Sequence, residues 1–280
     1  AVQTAAMKVS LIQMNSVSDK QANLAQARAL IEETVRDERP DWICLPEVWD
    51  FIGGNRATKM EAAEEIPGGP AYTLMQELAK THRVFIHAGS ILEKVPGDER
   101  IHNTTVAFDR DGKEVARYRK IHMFDITAPD GTAYRESAAF KPGDAVVTYD
   151  CEGVTVGCAI CYDLRFPYLF SALVDKGAHL IALPSAFTMQ TGKDHWEVLC
   201  RARAIETETY FCAAAQTGAH TAGNETRHTY GHSLVADPWG HVVAKASDGV
   251  GIVSARVDPK RVDKARQMIP VAQHRVKLAE

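Results

Sequence analysis

A carboxylate, an ammonium and a thiol each close a strand-like run of this chain. Glu47 follows WICLP at 42–46, Lys120 follows EVARYR at 114–119, and Cys161 follows the valine-bearing, glycine-bounded run 153–160. If the three ends meet at one sheet edge, they can attack a carbonyl or nitrile carbon. The carboxylate takes the thiol proton, the thiolate adds to the carbon, and the ammonium stabilises the oxyanion that develops. Each residue alone has an ordinary alternative. Cys161 can be a buried cysteine ending a strand, Glu47 a loop carboxylate and Lys120 a solvated strand end. An apolar-periodic helix begins near Phe166, with Leu169, Phe170, Leu173 and Val174 on one face. A helix N-terminus beside Cys161 is expected to lower its thiol pKa and to cradle an oxyanion.

The elements that must position these groups follow from periodicity. In the first half, strands are read at 7–15, 42–46 and 84–92, helices at 18–36 (capped by Ser18) and 70–82, and a hairpin at 101–108 and 114–120 turning on Gly112. Residues 121–144 form a long irregular loop, and a loop that long in a compact domain is usually functional or mobile. The second half repeats the order. A hairpin 145–150/154–161 and helix 166–176 lead to strand 178–184 and a helix from His195 to about Glu208, with Asp194 and Glu197 at capping-box spacing. Strand 210–217, hairpin 229–236/241–245, strand 251–257 and a helix from about Pro259 to Gln267 complete it. Two such halves imply an α/β fold of two mixed sheets packed face to face with helices outside, a four-layer α-β-β-α sandwich. No linker separates the halves. A single domain over 7–273 is expected, with residues 1–6 an extension and 274–280 a tail.

Composition narrows the function. With 32 basic and 36 acidic residues among 280 and no long run of one sign, nothing tracks a phosphate backbone, so nucleic acid is not expected. No 18-residue apolar stretch or signal-peptide pattern is read, so no membrane is expected. Six cysteines, several inside apolar strands, read as reduced thiols of a cytoplasmic protein. Cys158 and Cys161 have redox or zinc spacing but lack a second pair, and no HExxH, Walker, GxGxxG or GxSxG motif accompanies them. His122 and His195 border the proposed site as shell residues, and Trp196 and Trp239 read as packing anchors.

The segments LPEVWDF (45–51), RKIHMFDI (119–126), CYDLRFP (161–167), PSAF (184–187), HWEVLCRARAIE (195–206) and YGHSLVADPWG (230–240) resemble the nitrilase superfamily of carbon–nitrogen hydrolases, over nearly the whole chain. The resemblance implies the sandwich fold, usually dimerised, and a catalytic triad that maps onto Glu47, Lys120 and Cys161. It adds Glu136, in the long loop, as a group that positions the lysine and substrate. It implies a thioester intermediate with the Tyr162 N–H helping to hold the oxyanion, and no metal or organic cofactor. HWEVLCRARAIE, AAAQTG (213–218) and YGHSLVADPWG look most like the branch containing deaminated glutathione amidase, with the ω-amidase branch near it. Both cleave a primary amide from a small carboxylate-bearing substrate.

Such a substrate needs a cation. Arg165 can be that carboxylate hook or a structural ion pair with Asp163 or another acid. Thr191, Phe187 and the loop 218–228 with Arg227 are further substrate-binding candidates. The chain departs from the family pattern at Tyr168, where glutamate is common, and in its C-terminal tail. The expected function is a thiol amidase, with its small-molecule amide and a second copy of the chain as expected partners. A nitrilase or N-carbamoyl hydrolase and a non-catalytic scaffold are the alternatives, and the intact triad weighs against the last.

Overall fold

The computed structural model describes residues 6–280; the expected 1–6 extension, Ala6 apart, lies outside the described residues. The strands form two large sheets. In the first, Met7–Gln13, Trp42–Cys44 and Phe85–His87 are parallel neighbours, and Ile101–Phe108 continues the sheet antiparallel, pairing also with Ile91–Lys94 and Glu114–Arg119. In the second, Val154–Cys158, Leu180–Ala182 and Tyr210–Ala213 are parallel, flanked by Thr148–Cys151 on one side and by Leu234–Ala236 and Val242–Lys245 on the other. Gly251–Val257 returns from the second half to pair antiparallel with the whole of Met7–Gln13, which ties the two halves together.

Period-2 alternation sorts the first sheet's side chains between two layers. Val9, Leu11, Trp42 and Cys44 face the second sheet, in one buried cluster with Tyr149, Val156 and Cys158. Ile12, Ile43 and Ile86 face outward, where Ala27, Leu30 and Ile31 of helix Lys20–Glu38 and Leu74, Met75 and Leu78 of helix Pro70–His82 cover them. Helices Pro167–Asp175 and Met189–Thr207 cover the other sheet through Leu169, Phe170, Leu173, Trp196, Cys200 and Ala204. The four-layer sandwich follows. Between the sheets the Trp42 indole N–H donates to the Tyr149 hydroxyl at 2.8 Å, which also lies 3.0 Å from His87 Nδ1. Burial pushes the His87 pKa down to about 3, so its ring is neutral.

Several expected boundaries move. The first helix is capped by Asp19, whose side chain accepts from the Ala22 N–H, not by Ser18. The helix expected from His195 starts at Met189, which leaves Asp194 exposed within it and abolishes the expected capping box. The loop 121–144 contains a small hairpin, Asp125–Thr127 with Ala133–Arg135, and a 3₁₀ turn, Glu136–Ala138. Strand 210–217 stops at Ala213, and Thr217–Ala222 pairs with Glu225–Tyr230 as a separate hairpin. A seven-residue helix, Arg56–Ala62, was not expected; Asn55 caps it and it buries none of its residues.

The run 84–92 breaks at Gly89, which has φ +48°. A Cβ there would lie 2.1 Å from the Pro46 carbonyl oxygen and 2.7 Å from that of Leu45. The same corner holds the chain around Glu47: Ser90 N–H donates to Pro46 O, and Ser90 Oγ accepts from the Val48 N–H. Gly89→Ala is therefore expected to cost about 2–4 kcal/mol and to lower the Tm by about 4–10 °C. A melting curve matching the parent's would show that the corner tolerates a side chain.

Candidate active site

Glu47, Lys120, Glu136 and Cys161 come from four separate stretches and line one cavity of about 290 Å³. Glu47, just past strand Trp42–Cys44, is 4% exposed. Its Oε1 accepts from the Ala186 N–H at 3.1 Å, and its Oε2 accepts from Asn103 Nδ2 and Lys120 Nζ, each at 3.0 Å. Lys120, one residue beyond strand Glu114–Arg119, is 1% exposed and also donates to Glu136 at 2.9 Å. Glu136 opens its 3₁₀ turn and accepts from the Phe124 N–H at 3.1 Å. An isolated buried ammonium would be prohibitive; this one lies between two carboxylates.

Cys161 begins the 3₁₀ turn Cys161–Arg165, with its N–H donating to Pro184 O at 2.9 Å. Its φ is +43°, a left-handed conformation that non-glycine residues rarely hold. Val48, adjacent to Glu47, has the same φ, rarer still for a β-branched residue. Strain of this kind persists where surrounding contacts over-determine the backbone. Asp163 supplies those contacts at the cysteine. Its Oδ2 accepts from the Ile160 N–H at 2.9 Å and the Tyr118 hydroxyl at 2.6 Å, and its Oδ1 from the His122 N–H at 3.2 Å. His122 Nδ1 is 2.7 Å from the same oxygen, while the ring stacks on Phe166 and its Nε2 meets the Tyr168 hydroxyl. Tyr118 and His122 flank Lys120, so Asp163 fastens the lysine strand to the cysteine turn.

Tyr162, Phe187 and Thr191 line the cavity with the four polar groups. The Tyr162 N–H meets no acceptor among the described residues. Arg165 does not reach the cavity, which corrects its expected place there. Its guanidinium lies 5.3 Å from the Phe187 ring centroid and 3.1 Å from His195 Nδ1. The expected pairing with Asp163 is also absent, since that carboxylate is taken by Tyr118 and His122. The winding explains the miss. At 3 residues per turn, a side chain four positions on stands about a third of a turn from Cys161. Besides Lys120, the cations that line the cavity are Lys59, Arg135 and Arg227; of these three, only Arg227 was read from the sequence as a substrate-binding candidate. Asn103 was also missed, although an asparagine inside the apolar strand Ile101–Phe108 was a signal.

A family model described as carbon–nitrogen hydrolase matches residues 8–267. The chain belongs to the carbon–nitrogen hydrolase family. It is 40% identical over 269 residues to a deaminated glutathione amidase of Synechocystis, covering 95% of this chain and 96% of that one. It is 34% identical over 276 residues to the ω-amidase NIT3 of Saccharomyces cerevisiae, covering 96% and 93%. The crystal structure of S. cerevisiae Nit3, a member of branch 10 of the nitrilase superfamily, superposes with a TM-score of 0.87 at 31% identity, covering 99% of each chain.

In this carbon–nitrogen hydrolase the thiol is not poised as a helix N-terminus was expected to leave it. Burial raises the Cys161 pKa well above the ordinary thiol range and the Glu47 charge adds to that, outweighing Lys120 and the Ala186 N–H. Cys158, buried between the sheets, is pushed up to about 12 by burial alone. Because the folded pKa is raised, the Cys161 thiol stays protonated through neutral pH and ionises only above the ordinary thiol range. The ultraviolet thiolate absorbance lost in Cys161→Ala should appear only above that range. A thiolate already present at pH 7 would contradict this.

Proposed function

We propose that the protein is a thiol amidase that hydrolyses the primary amide of a small carboxylate-bearing substrate to acid and ammonia. One observation carries the reading: the Cys161 thiol lines one cavity with a carboxylate, Glu47, that is already hydrogen-bonded to a buried lysine. Since Cys161 rests as the thiol, attack requires a base, and Glu47 is the carboxylate available. It takes the Sγ proton as sulfur bonds to the amide carbon. The carbonyl electron pair moves onto oxygen, where Lys120 Nζ and the Tyr162 N–H donate to it. Glu47 then returns the proton to nitrogen, the C–N bond breaks, ammonia leaves and a thioester remains. Glu47 next deprotonates a water, which adds to the thioester carbon. The C–S bond breaks, and the proton goes back to sulfur.

Glu136 works through Lys120. Burial raises the Glu136 pKa, with Lys120 opposing, while Glu136 and Glu47 hold Lys120 well above the ordinary lysine range. The ammonium therefore remains a donor at every working pH. Similarity to two proteins named as amidases supports an amide substrate rather than a nitrile or carbamoyl compound, and the higher identity to the deaminated glutathione amidase supports that substrate class.

Ammonia release should be measured with deaminated glutathione, α-ketoglutaramate, a simple nitrile and an N-carbamoyl amino acid. Turnover is expected with deaminated glutathione first. Cys161→Ala should lower kcat by about 10⁴-fold or more, and Lys120→Ala by about 10²–10³-fold. Full turnover by Cys161→Ala would overturn the mechanism.

A further inference from the structure

The cavity is electrically divided. At its inner end Lys120 lies between Glu47 and Glu136, beside an uncharged thiol, so the carboxylates outnumber the cations. Elsewhere on the wall stand three cations and one carboxylate: Lys59, Arg135, Arg227 and Glu225. Two of the three cations are already engaged. Arg227 pairs with Glu225 at 2.6 Å and lies over the Tyr134 ring at 4.3 Å. Arg135 donates to the Ile126 and Tyr134 carbonyl oxygens at 2.9 and 2.7 Å. Lys59, on helix Arg56–Ala62, makes only backbone hydrogen bonds; its ammonium has no hydrogen-bond or ion-pair partner among the described residues, and the residue lines the same cavity. Burial, with Arg227 adding to it and Glu136 and Glu225 opposing, pushes its pKa below the ordinary lysine range. A partly desolvated, unpaired ammonium is an unfavourable state that an anion entering the cavity would relieve.

We propose that Lys59 is the specificity residue that binds the substrate's distal carboxylate. The charge division then sets the substrate's orientation, with the uncharged amide at the carboxylate-rich inner end and the acid toward Lys59. The same division repels the new carboxylate formed at Cys161 and favours release of the diacid product. Small ω-amido acids are the substrate class, and uncharged amides of equal length are the poor ones. The orientation rests on the amidase reading, but the Lys59 contact can be tested without turnover.

Glutaramic acid and its methyl ester present the same reacting amide with and without the distal charge. The wild-type protein is expected to hydrolyse the acid with a kcat/KM at least about tenfold above the ester's. Lys59→Met should raise KM for the acid about tenfold or more while kcat, and all constants for the ester, stay within about twofold. Lys59→Arg should recover most of the loss. The unchanged ester rate in Lys59→Met also reports an intact fold. Equal rates for acid and ester in the wild type, or an equal loss of both in Lys59→Met, would overturn the assignment. Calorimetric binding of glutaramic acid to Cys161→Ala, with and without Lys59→Met, makes the comparison without chemistry. A Lys59-dependent Kd there, alongside wild-type protein that releases no ammonia from any amide, would reject the amidase reading and keep the Lys59 contact. A Kd that does not depend on Lys59 would reject the contact alone.

Discussion

Burying the Lys120 ammonium is the constraint around which the molecule is arranged. Desolvating such an ion costs several kcal/mol, and attraction offsets the cost only where the geometry is close. Two carboxylates within 3.0 Å provide it, and they come from separate elements. Glu47 is carried by the first sheet's parallel core and Glu136 by a 3₁₀ turn that follows the small hairpin. Removing either would leave a buried charge partly unpaired, so the strand, the turn and the loop between them are bound to one arrangement.

Asp163 extends that constraint to the second sheet. It accepts from Tyr118 on one side of the lysine and His122 on the other, and from Ile160 beside the cysteine. The left-handed conformations of Cys161 and Val48 are held by this network and by the Gly89–Ser90 corner. The thiol and its proposed base thus stand on backbones with little freedom to move. Rigidity of this kind is what a base needs when its proton donor rests in the neutral form.

Much of this was legible in the sequence. Glu47, Lys120 and Cys161 could be located because each closes a strand-like run, and β-runs end at sheet edges. The two layers of helices were visible from 3.6-residue periodicity. The rest was hidden for identifiable reasons. The hairpins 125–135 and 217–230 are largely polar, so alternation does not mark them. Helix Arg56–Ala62 is too short and too exposed to show an apolar face, and Lys59 passed unnoticed with it. Arg165 was misplaced because a 3₁₀ turn sends its side chain away from the face an α-helix would give it. The thiol was expected to be activated by a helix end, whereas burial and Glu47 dominate its ionisation.

The central claim is that Cys161 carries the acyl group. The direct measurement is intact-protein and peptide mass spectrometry on wild-type protein quenched in acid during turnover of deaminated glutathione. The account predicts an adduct on the peptide containing Cys161, with the mass of the substrate less ammonia. An adduct on another residue, or turnover with no covalent species at any quench time, would contradict it.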